Sequence, residues 1–79
     1  MAKMLKPHSS ERLIGASTAA ALCDVSLRTW WRYDASGQIP RAVQLGTGKR
    51  TKRWRLSDVI AWIDFGCPSR SEFEARRNA

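Results

Sequence analysis

Arg28 and Arg32 stand four residues apart, the spacing that sets two side chains on one side of an α-helix. A guanidinium can donate two parallel hydrogen bonds to O6 and N7 of guanine, and each such contact discriminates against a wrong base by ~1–3 kcal/mol. Thr29 and Leu27 beside them offer the apolar groups that meet a thymine methyl in the major groove. Trp31 has two readings, a core residue or an indole that packs on a sugar-phosphate backbone and donates its N–H to a phosphate. Lys49 and Arg50, then Lys52, Arg53 and Arg55, follow further along the chain. Cations of that kind grip phosphates with little regard to sequence, supplying affinity and register.

The charge distribution supports the same partner. The chain of 79 residues has a formal net charge of +7. Between positions 28 and 55 the basic residues are Arg28, Arg32, Arg41, Lys49, Arg50, Lys52, Arg53 and Arg55, and the single acid is Asp34. Such a stretch attracts polyanions, whereas a merely solvated surface ordinarily mixes the two signs, as the segment with Arg70, Glu72, Glu74, Arg76 and Arg77 does.

Catalysis finds little support. His8 is the only histidine, Cys23 and Cys67 have no neighbouring base, and Asp24, Asp34, Asp58 and Asp64 form no paired carboxylates at a readable spacing. The two cysteines lack CxxC spacing, so no structural zinc site and no cofactor are expected, and both thiols are read as reduced, Cys23 as a small buried hydrophobe. No apolar run approaches the ~20 residues that span a bilayer, and positions 1–12 lack the apolar centre of a secretory signal. A cytoplasmic protein without a membrane contact is expected.

The elements that must position these residues can be read in order. Positions 1–12 are polar and are expected to be a flexible arm. Ser17 offers an N-cap to a short helix over 18–23, Asp24-Val25-Ser26 makes a turn, and Ser26 caps a second helix over 27–35 that Gly37 ends. Ala19, Ala20, Cys23, Val25, Trp30 and Tyr33 fall where these two helices would face each other. Alternation over 41–45 and 53–56, with Gly46 to Thr51 as a charged tip, predicts a β-hairpin. Its basic return strand either contacts phosphate or protects a sheet edge from aggregation. Ser57 and Asp58 open a third helix through Phe65, stopped by Gly66 and Pro68. Ser69 to Glu72 has the pattern of a capping box for a last short helix through Arg77, with Phe73 its one large apolar residue.

The expected fold is mainly α with a small β-hairpin, a winged helix-turn-helix: an arm at 1–12, a DNA-binding domain at 13–68, and a tail or short helix at 69–79. Its DNA-binding residues are Leu27, Arg28, Thr29, Trp31 and Arg32 on the second helix and Lys49, Arg50, Lys52 and Arg53 on the wing.

The ordered series Leu13-Ile14, Ser17 to Leu22, Val25-Ser26, Thr29 to Tyr33, Ile39-Pro40, Val43 to Gly46 and Arg53 to Trp62 resembles the AlpA family of phage and mobile-element regulators. That family is related to excisionases and more distantly to the DNA-binding domain of MerR-type regulators. The resemblance covers roughly 13–68. It implies a winged helix-turn-helix that regulates transcription, or alternatively an excisionase that bends attachment-site DNA and recruits an integrase. It also implies that Thr29, Trp31 and Arg32 face DNA and that Lys49 and Arg50 lie on the wing. Asp24 departs from the pattern where a glycine is common, and Trp30 replaces a small aliphatic residue. One small module offers an interface at or below ~600–1,000 Å², so neighbouring copies on adjacent sites, an integrase or RNA polymerase are expected partners besides duplex DNA.

Overall fold

Ala19 and Ala20 leave one side of the first helix almost bare, and the space so created is filled by indole rings. The computed structural model describes residues 11–47 and 51–78, in the order β1 (Leu13–Ile14), α1 (Ala16–Leu22), α2 (Leu27–Ala35), β2 (Val43–Gln44), β3 (Lys52–Arg55), α3 (Leu56–Asp64) and α4 (Arg70–Arg77). The result is a mainly helical domain of four helices and one antiparallel three-stranded sheet, with β3 between β1 and β2.

Trp30 of α2 is the centre of the core, fully buried beside Ala19 and Ala20. Trp54 of β3 meets it edge-on at 5.4 Å and Trp62 of α3 at 6.2 Å, the arrangement the aromatic quadrupole favours. Trp54 donates its indole N–H to the Pro40 carbonyl at 3.0 Å and Trp62 to that of Pro68 at 2.7 Å. The Trp30 N–H has no hydrogen-bond partner among the described residues. The larger ring at position 30 is therefore accommodated by small neighbours on α1. Ile14, Ile39, Val59 and Phe73 complete the core, with Cys23, Val25 and Tyr33 packed against it.

Three helices end in the same way. In α1 the N–H of Val25 donates to the Ala20 carbonyl and that of Asp24 to Ala21; in α2 Gln38 donates to Tyr33 and Gly37 to Asp34; in α3 Cys67 donates to Trp62 and Gly66 to Ile63. This double closure needs one left-handed residue just past each helix. Glycine supplies it at Gly37 (φ 74°) and Gly66 (φ 89°), and Asp24 (φ 56°) supplies it in the turn between α1 and α2.

Several boundaries differ from the sequence reading, for one reason. β1 was not expected as a strand, yet Leu13 pairs with Arg55 and Ile14 with Trp54, and the Leu56 N–H donates to the Arg12 carbonyl at 2.8 Å. Both helices that follow this ladder start where the pairing stops. Thus α1 begins at Ala16 with Gly15 as its N-cap, and α3 begins at Leu56 directly after β3 with Arg55 as its N-cap. Neither Ser17 nor Ser57 is a cap; both lie inside their helices, and Ser57 donates to the Glu11 carboxylate instead. Ser26 and Ser69 do cap, accepting from the N–H of Thr29 and Glu72. The hairpin is shorter than its alternation, with Val43 opposite Arg53 and Gln44 opposite Lys52.

Candidate nucleic-acid interface

On α2, Trp30 faces the core and the opposite side goes to solvent. Leu27, Arg28, Trp31 and Arg32 are all exposed there, as residues at i, i+1, i+4 and i+5 of one helix flank should be. Thr29 is half-buried, because its hydroxyl accepts from Ser26 Oγ at 3.0 Å while its N–H donates back to that oxygen. It belongs to the cap as much as to the surface.

Trp31 is only partly buried. Its ring is 41% exposed, yet one edge meets Trp54 at 5.8 Å, and Lys52 Nζ stands 6.0 Å from its centroid. That contact joins the helix to the hairpin in one continuous surface. Lys52 also reaches Asp34, its ammonium 2.7 Å from Oδ2.

Asp34 organises this corner of the molecule. Its side chain is only 8% exposed and takes both Lys52 and Arg70, the latter at 3.0 Å on Oδ1. Arg70 further donates to the backbone carbonyls of Asp34 at 3.2 Å and Ile39 at 3.0 Å. An anion with two cationic partners in a half-buried site fixes the end of α2 against α4 and the hairpin. Sequence reading missed this hub. The available signal was that Asp34 is the single acid in a basic stretch, which is where an internal partner for some of those cations is to be sought.

The pairing pattern sorts the cations. Arg41 is paired with Glu74, Lys52 and Arg70 with Asp34, Arg76 with Glu72, and Arg77 with Asp58. The Arg41 guanidinium, by hydrogen bond and charge, holds the exposed Glu74 carboxyl below the usual range. Among the described residues, Arg12, Arg28, Arg32, Arg53 and Arg55 have no ion pair with a carboxylate. Two of these five lie on the exposed flank of α2. Arg53 and Arg55 flank Trp54 in β3, so alternation sends them to the sheet face opposite Trp54, and Arg53 Nη1 donates to the Lys52 carbonyl at 2.9 Å. Of the expected wing residues, Lys52 therefore joins the α2 surface and Arg53 stands on the other face of the sheet. Lys49 and Arg50 lie outside the described residues, as do most of the expected arm residues.

Among the described residues no group of three or more His, Cys, Asp or Glu could hold a metal ion, and no helix is long and apolar enough to cross a membrane. No family model, curated protein or solved structure matches the chain.

Proposed function

We propose that the domain is a winged helix-turn-helix of the AlpA-like kind that binds double-stranded DNA, with α2 in the major groove and the β2–β3 hairpin as its wing. In this reading it acts by binding alone, in the cytoplasm, as a transcriptional regulator. The observation that carries the reading is the selective lack of internal partners. Arg28 and Arg32, on the flank that a groove would receive, are left without carboxylates, while Arg41, Lys52, Arg70, Arg76 and Arg77 are each matched by one. Exposed cations without an internal carboxylate are placed to meet an external anion. The geometry of two helices closed by the left-handed Asp24, with an exposed and basic second helix, fits the recognition unit of such proteins.

In this arrangement Arg28 and Arg32 read base edges, Leu27 and Thr29 border them, and Trp31 lies along the backbone with its ring held by Trp54 and Lys52. The amides opening α2 add a partial positive charge toward phosphate. Lys49 and Arg50 supply sequence-tolerant contacts from the wing.

The test is binding of the purified protein to duplexes from its own genomic neighbourhood, with unrelated duplex as competitor, at two salt concentrations and on circularly permuted probes. Preference for a promoter fragment without a large bend supports the regulator. Strong bending at an attachment site turns the reading to an excisionase that recruits an integrase. Equal, salt-sensitive binding to every duplex removes α2 as a reading helix and leaves only a basic surface.

A further inference from the structure

Cys23 and Cys67 are distant in sequence, yet both line one cavity of about 350 Å³, whose other walls are Val25, Tyr33, Gln38 and Trp62. Each thiol is fixed by a helix end. Cys23 is the C-cap of α1 and packs against the core. Cys67 follows Gly66 in the closure of α3, its N–H bound to the Trp62 carbonyl at 2.9 Å. Its backbone is left-handed, φ 58°, a conformation that residues with a Cβ rarely hold. Both cysteines are free, Cys67 exposed and Cys23 half-buried. Burial first, and then the neighbouring Cys67, push the Cys23 thiol up. The remaining cavity walls carry no carboxylate and no cationic side chain.

We propose that this pair is a thiol-modification site: Cys67 exchanges with a low-molecular-weight disulfide of the glutathione class, and Cys23 then closes an intramolecular disulfide across the cavity. In the first step Cys67 gives its proton to solvent and its thiolate attacks one sulfur of the small disulfide. A mixed disulfide forms, the small S–S bond breaks, and one small thiolate leaves and is protonated. In the second step the Cys23 thiolate attacks Cys67 Sγ, and the second small thiol leaves. Two protein thiols are oxidised and one small disulfide is reduced to two thiols. The order follows exposure, since Cys67 is exposed and Cys23 half-buried. The closed bond ties the α1–α2 turn to the end of α3 and encloses α2 and the hairpin in one covalent loop, restricting the unfolded chain. This inference is independent of DNA binding.

The full chain, equilibrated in glutathione redox buffers, quenched in acid and alkylated, is read by mass. The expected product is a monomer lighter by two hydrogen atoms, with Cys23 joined to Cys67 in the peptide map. It should melt about 10 °C or more above the reduced protein. Cys23→Ser should stop at a glutathione adduct on Cys67, and Cys67→Ser should leave Cys23 unmodified. Cys23→Ala repeats the first arm if the serine at this half-buried position prevents folding. In concentrated urea the equilibrium should favour the protein disulfide roughly tenfold less or worse, because only the fold brings the thiols together. Adducts persisting on both cysteines, a disulfide-linked dimer, an equilibrium indifferent to urea, or an oxidised protein that melts below the reduced one would each overturn the proposal.

Discussion

Asp24 carries three roles that pull in different directions. It supplies the left-handed residue that closes α1, it places a negative charge at that helix's C-terminus, where the dipole disfavours anions, and in the proposed complex it sits near phosphate. Asp24→Gly should raise stability by ~0.5–1 kcal/mol, read from a urea midpoint. Asp24→Asn should raise stability by a few tenths of a kcal/mol, ~0.3–1, and tighten binding to every duplex. Tightening for one sequence only would mean that Asp24 touches bases. Asp34 is a stronger case: removing a carboxylate 8% exposed leaves Arg70 and Lys52 without their partner, and Asp34→Ala should cost ~3 kcal/mol in chemical denaturation. Position 24 was legible in the sequence as a departure at a turn. Position 34 was not, because its partners Lys52 and Arg70 come together only in three dimensions.

At the scale of elements, α2 was the easiest to read, since Ser26, the spacing of Trp30 and Tyr33, and Gly37 mark its start, buried side and end. β1 was the hardest: two residues give no alternation to detect, and their strand character comes from pairing with β3. α4 was expected as a tail or short helix with a single anchor. That anchor, Phe73, is 2% exposed in the core and meets Phe65 at 5.7 Å, and Arg70 fastens the helix to Asp34 and Ile39. Phe73→Ala should therefore cost ~3–5 kcal/mol. Its thermal transition should fall well below that of the parent, whereas a free tail would show no shift. Between the two proposed DNA elements the outcomes should differ in kind. Arg32→Ala should relax discrimination at one base position, by ~1–3 kcal/mol, while changes at Lys49 or Arg50 should weaken all sequences alike and reduce the salt slope by about one unit per lost contact. Competition binding across a set of mutated sites separates these patterns.

For the whole molecule, the uneven pairing of charge governs response to solution conditions. Glu74, held ionised by Arg41, contributes stability that is present above the ordinary glutamate range near ~4.3 and is lost as pH falls through its lower folded value. Melting Glu74→Gln and the parent side by side should give a difference near neutrality that vanishes in acid, and a small one, because the pair is exposed. The net charge and its concentration in the middle of the chain were legible from composition. Which cations remain available was not, because that depends on acids from α2, α3 and α4 converging on particular arginines.

The first strand of the sheet pairs with residues some forty positions further along the chain, Trp54 and Arg55, and the core is completed by a phenylalanine from its last helix. A nascent polypeptide therefore acquires no stable part of this domain in passing. While α1 and α2 emerge, Ile14 and Trp30 have neither Trp54 nor Trp62 to meet, and the charge of Asp34 waits for Arg70. Folding is expected to be one late event, once Phe73 is free to reach the core. Until then the bare, basic α2 is exposed to the ribosomal RNA around it.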